Sequence, residues 1–284
     1  MVDCGIGEPK NVNDLALPHK QGILLRVGLY ILLAWMGVLV FAVLLSPGGI
    51  LVTATLSAFG AAAVANAVVV RIYERGRLAD VGLGWSPYSG REFLIGAGAG
   101  IASAVCVVLV PLALRMARFE RDPAVVEHRW ASFAFDGLLL FFGVMGEELL
   151  FRGYAFQLLI RAAGPFATIL PTSVIFGVMH SGNNDANALG IINTVAWGIL
   201  LGYAVWRSGA LWLAIGLHFG WNVTLPLLGS NLSGFTMGVT GYTLKWNVGV
   251  LWSGGGYGVE GSVLTTLVVV ALFFVLRRLI PQSK

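Results

Sequence analysis

Three short spacings hold the residues that could do chemistry. Glu147-Glu148 is followed at Arg152 by a cation four residues past Glu148. Phe176 precedes His180 by four, and His218 precedes Asn222 by four. All three lie in long apolar runs. An ionisable side chain inside a bilayer costs about 2.5–3.5 kcal/mol, so each one needs a partner or a purpose. On a helix, residues four apart share a face, so Arg152 can neutralise Glu148 directly, while Glu147 is turned away by about 100°. The same rule stacks His218 with Asn222 and Phe176 with His180. The economical packing sends Glu147, His180, His218 and Asn222 into one polar cavity. Glu148 and Arg152 are then a structural pair, and Phe176 shapes the pocket.

Such a cavity suits peptide-bond hydrolysis by water, without a covalent intermediate. A carboxylate withdrawn from water becomes a base of intermediate strength, and with a histidine beside it can hold and activate a hydrolytic water. A second histidine and an asparagine amide can donate hydrogen bonds to the oxyanion of a tetrahedral intermediate. No serine in a GxSxG elbow and no cysteine beside a histidine competes for the role of nucleophile. Two histidines and a glutamate are also a catalytic zinc set, which here would be Glu147, His180 and His218. HExxH is absent, so such ligands would come from three separate helices. Zinc and metal-free hydrolysis both stay open at this point.

The elements that must position these residues are membrane helices. Of the 284 residues, 57% are hydrophobic and only 11% are charged, against about 25% charged in an ordinary soluble domain. Mean hydropathy is +0.82. This composition excludes both a soluble globular domain and a disordered chain. About 20 apolar residues span a bilayer, and eight runs qualify: residues 23–45, 50–72, 93–114, 131–160, 166–180, 188–206, 211–228 and 262–279. The fold expected is an all-α polytopic membrane bundle of about eight transmembrane helices, forming a single integral-membrane domain over 1–284 with a polar tail at 1–22. That tail is too polar for a cleaved signal peptide. The short fifth run suggests a helix ending beside a cavity. Residues 229–261, rich in Gly and aromatics, read as an irregular lid or re-entrant loop.

The chain has 18 basic and 14 acidic residues, a net charge of +4. No basic patch is interleaved with aromatics, so nucleic acid is excluded as a partner. Instead the cations flank apolar runs. Twelve fall on the side of the two termini and five on the other, with Arg152 inside the fourth run. The positive-inside rule places both termini in the cytoplasm of a multi-pass cell-membrane protein. His180 then lies at the non-cytoplasmic end of the fifth helix. Cys4 and Cys106 stand in unlike surroundings and are not expected to pair. Trp197 and Trp221 are candidates to line the site. Asn183, Asn184 and Asp185 read as a polar turn. Glu260 is expected to face the N-terminal dipole of the eighth helix, and Gly96 to Gly100 to allow close helix packing.

With these residues in view, the chain resembles the CPBP intramembrane proteases, the family of CAAX prenyl proteases of the Rce1 type and of the bacterial Abi proteins. The family's motifs EExxxR, FxxxH and HxxxN stand here, in order, at Glu147 to Arg152, Phe176 to His180 and His218 to Asn222. Gly209-Ala210-Leu211-Trp212 and the run Gly254 to Gly261 are similar to bacterial members, so the resemblance covers a core at about 78–261. It implies a glutamate-dependent endopeptidase acting on a membrane-associated protein or peptide. In that reading Glu147 and His180 activate water, His218 and Asn222 hold the oxyanion, and Glu148 and Arg152 support the site. It carries no required cofactor, with zinc as the family's open alternative. Two rivals stand beside it: a non-catalytic binding, immunity or scaffolding protein on the same fold, and a transporter with a proton-carrying Glu147. Against the transporter, no internal repeat is found.

Overall fold

The computed structural model describes residues 17–122 and 130–279. Cys4, most of the polar tail, His128, Arg129 and Lys284 therefore lie outside the described residues. The chain folds as a helical bundle: α1 (Lys20–Leu45), α2 (Ile50–Tyr73), α3 (Ser89–Ala113), α4 (Trp130–Arg152), α5 (Tyr154–Ala163), α6 (Pro165–Met179), α7 (Ala188–Ser208), α8 (Trp212–Leu227), a one-turn α9 (Val250–Ser253) and α10 (Val263–Leu279). Among the described residues, α1, α2, α3 and α7 are long and apolar enough to cross a membrane. Leu24, Leu25, Val43, Leu44 and Leu94 are exposed on the outside of the bundle, where apolar side chains belong if lipid is the solvent.

Small residues set which helices touch. Along α3 and α8, a methyl group added at Gly96 or Gly100 would overlap the carbonyl oxygen of Leu213 or Leu217, and one at Gly216 or Gly220 that of Phe93 or Ala97. The two backbones are thus in direct contact, which fixes the rotation of α8 and the direction in which His218 and Asn222 project. The small-residue stretch at Gly96 to Gly100 has its partner here. Likewise Gly146, beside Glu147, leaves no room for a Cβ against the backbone of Phe59 on α2. Membrane helix pairs use small residues this way because dispersion contact, not water exclusion, holds them together.

The apolar run at 131–160 predicts one helix, but the structure divides it at Gly153 into α4 and α5. The cause is tertiary. Asn66 reaches out of α2, accepts a hydrogen bond from the Tyr154 amide at 2.8 Å and donates to the Leu149 carbonyl at 3.1 Å. Tyr30 donates to the Leu149 and Leu150 carbonyls, and Gln157 to that of Arg152. The backbone groups freed by the break are thereby satisfied without water. α5 then lies as a short helix whose first turns are buried and whose far end is exposed.

Residues 229–261, expected to be irregular, are more ordered than that. They contain strand β2 (Tyr242–Trp246), which pairs antiparallel with β1 (Ala117–Arg121) in register Phe119 to Leu244. They also contain α9 and two 3-10 turns, Gly255–Tyr257 and Val259–Gly261. This segment forms a cap. It interlocks with the turn after α6: a Cβ at Gly234, whose φ is +84°, would strike the backbone of Asn184, and one at Gly256 the carboxylate of Asp185. Glycine at 234 meets both the left-handed φ and the close approach.

Candidate functional site

α1, α2, α4, α6, α7, α8 and the cap enclose a cavity of about 330 Å³. Glu147, His180, His218, Asn222 and Phe176 all line it, while Glu148 and Arg152 do not. Trp197 and Trp221 also line it, with ring centroids 4.8 Å apart. Asn183, in the polar turn, reaches its wall.

Behind the wall lies a charge cluster sealed from solvent. Glu148 is fully buried and Arg152 is 1% exposed. Glu148 Oε1 meets Arg152 Nη1 at 3.3 Å and His218 Nδ1 at 2.9 Å. The guanidinium also donates to the Gly198 carbonyl on α7 at 3.1 Å and lies over the Phe176 ring on α6, 4.7 Å from its centroid. One ion pair thus ties α4 to α6, α7 and α8. The i, i+4 spacing showed the first of these contacts. That Glu148 also holds His218 was not legible, because it depends on the rotation of α8.

The two cavity histidines are oriented through their second nitrogens. His180 Nδ1–H donates to the Phe176 carbonyl at 2.8 Å, which leaves Nε2 as the ring's free nitrogen. With His218 Nδ1 on Glu148, its Nε2 stands 3.7 Å from Glu147 Oε2. That carboxylate oxygen has no hydrogen-bond partner among the described residues. The Glu147 side chain is 32% exposed, against 0% for Glu148. Adjacent in sequence, the two acids differ in environment: Glu148 is buried behind the wall with Oε1 shared by cation and imidazole and Oε2 unpartnered, while the Glu147 side chain lines the cavity and is partly exposed.

Across the cavity, Glu260 bridges the cap to α8. Its Oε1 accepts from Trp221 Nε1 at 3.0 Å, and its Oε2 from the backbone amide and hydroxyl of Ser233. This corrects the expectation that Glu260 serves the N-terminus of the last helix: its side chain turns into the cavity wall. Its carbonyl is held by Asn193 Nδ2 at 2.7 Å. Beside it, burial and the Glu260 carboxylate push the Tyr257 hydroxyl up to about 12, so Tyr257 stays a neutral phenol. Leu232, Ser233, Phe235 and Met237 complete the roof. They come from a stretch without periodicity, and no sequence signal marks them. Asn66, a lone amide in the small apolar run of α2, did carry a signal.

As metal ligands the residues do not fit. Among the described residues no three His, Cys, Asp or Glu side chains are grouped to hold an ion. The Phe176 ring packs against both histidines, with centroids 4.6 Å from His180 and 6.3 Å from His218.

Residues 129–224 match the family model described as Type II CAAX prenyl endopeptidase Rce1-like. The match contains all three motif spacings and ends in α8, before the cap. No curated protein matches the chain. This stretch is thus similar to the Rce1-like domain of the CPBP and CAAX protease family, and the chain that carries it is an all-α membrane protein.

Proposed function

We propose that this chain, through its Rce1-like domain, is an intramembrane endopeptidase that hydrolyses a peptide bond of a membrane-associated protein or peptide. The observation that carries the reading is the half-open Glu147 carboxylate, unpartnered at Oε2, in a cavity shared with His180, His218 and Asn222. We place the chain across the bilayer eight times, through α1, α2, α3, α4, α6, α7, α8 and α10, with both termini cytoplasmic.

The steps follow from donor and acceptor roles. Glu147, with His180 Nε2 as second acceptor, holds a water and takes its proton as the oxygen adds to the scissile carbonyl carbon. The carbonyl oxygen becomes an oxyanion that accepts from the Asn222 amide and from His218 Nε2–H. For that donation His218 acts as the imidazolium, with Glu148 on Nδ1 as counter-charge. Glu147 passes its proton to the amide nitrogen, the C–N bond breaks, and the new carboxylic acid gives its proton to the freed amine, so that a carboxylate and an ammonium leave. This sequence of steps needs no cofactor.

The test compares peptide termini in membranes of cells producing wild type or Glu147→Gln at matched abundance. New termini found only with wild type are expected, and they name the substrate. Identical termini, with any phenotype intact in the variant, would replace proteolysis with a binding or scaffolding role on the same fold.

A further inference from the structure

The packing registers fix the direction of every long helix. α1 and α2 are antiparallel, with Gly37 against Ala61 and Phe41 against Gly60. α2 and α4 are parallel, with Thr55 against Gly143 and Phe59 against Gly146, and α3 and α8 are parallel along the glycine seam. α6 and α7 are antiparallel, with Ile169 against Gly202 and Gly177 against Val195. α7 and α10 run together, with Asn193 on Thr266 and Tyr203 on Phe273. The start of α1, residues 74–88, the α4–α5 joint, residues 209–211 and the end of α10 therefore share one face. The α1–α2 turn, the turn after α6, and the β1 and cap segments share the other.

The cavity reaches only one of these faces. On the side of the termini it is floored by Glu148, Arg152, Tyr154, Gln157, Leu158 and Leu211, all at most 5% exposed. Towards the other side its walls rise through Val144, Leu140 and Leu51 to Asn183 and the cap. Met179, which lines it there, is 51% exposed. Among the described residues, ten Lys and Arg lie on the face of the termini and four, Arg115, Arg118, Arg121 and Lys245, on the face of the mouth. Short loops rich in Lys and Arg stay in the cytoplasm.

We infer that the cavity opens to the non-cytoplasmic face of the membrane, so that its substrate is a peptide segment presented at the outer leaflet, not the C-terminal tail of a cytosolic protein. The substrate half of this inference rests on the proposed peptidase activity; the placement of the mouth does not.

The test is labelling by a membrane-impermeant maleimide in intact cells, using the full chain with Cys4→Ser and Cys106→Ser. Single cysteines are introduced at Thr240 on the cap, at Met179 on the mouth, or at Ser86 on the face of the termini, where Thr240 and Ser86 are both exposed. Thr240→Cys and Met179→Cys should label in intact cells, and Ser86→Cys only after permeabilisation. Labelling of Ser86→Cys in intact cells with loss at Thr240→Cys would invert the orientation. Labelling at Thr240→Cys without Met179→Cys would close the mouth. Either result overturns the inference. Because labelling needs no turnover, adding Glu147→Gln should change nothing, which separates this outcome from failure of the peptidase reading.

Discussion

The floor and the roof of the cavity are built in opposite ways. At the floor, side chains hold the structure: Glu148, Arg152, His218, Asn66 and Gln157 bind one another and the broken end of α4, and the charges among them are buried and paired. At the roof, backbone packs against backbone through Gly234, Gly254 and Gly258, and the charge that lines it, Glu260, is held by neutral donors. The floor's charges are sealed behind the wall, and of its side chains only His218 lines the cavity, through Nε2. A roof of glycine contacts fixes a shape and contributes little charge. Chemistry is left to the layer between them, where Glu147, unlike Glu148, lines the cavity with a partly exposed side chain.

Substitutions can break that contrast, beginning with the layer between. Glu147→Gln should cut turnover by about 10²–10⁴-fold, the usual worth of a general base, as read from the yield of new peptide termini. At the floor, Glu148→Gln or Arg152→Met should destabilise the protein by about 3–5 kcal/mol, because each strands a buried charge. The double variant should melt above either single variant in detergent, since it removes both charges together.

Effects at the roof and along the helix seam should be smaller. In Glu260→Gln the new amide cannot accept from both Trp221 and Ser233, so one buried donor loses its partner, at a cost of about 1–3 kcal/mol. Tryptophan fluorescence should report the change at Trp221. Gly216→Ala forces α8 off the Phe93 carbonyl, with a loss of about 1–3 kcal/mol in thermal unfolding. The smallest effect expected is from chelation. Treating membranes with a zinc chelator should leave the pattern of termini unchanged, and a loss restored by added zinc would overturn the metal-free route.

The sequence carried the helices and the shared faces further than the loops. The spacing of Glu148 and Arg152 shows their pairing because helix geometry alone determines it. The break at Gly153 was hidden because apolarity continues through it, and what ends α4 is an amide from α2. The cap was opaque for a different reason. Its order comes from β1, whose Phe119 pairs with Leu244 across 125 residues of chain, and from glycine contacts with the turn after α6. The turn of Glu260 towards Trp221 follows from that packing and not from its position ahead of α10. The place of His218 between two acids likewise needed the α3–α8 seam, which sets the rotation of its helix.

The most direct test of this account is a paired measurement on the neighbouring acids, comparing thermal unfolding and cleavage for Glu147→Gln and Glu148→Gln in the same detergent. Glu147→Gln should unfold at or above the wild-type temperature and yield no cleavage, while Glu148→Gln should unfold well below it. A Glu147→Gln protein that still cleaves, or two variants that lose stability alike, would contradict the division between an open reactive carboxylate and a buried structural one.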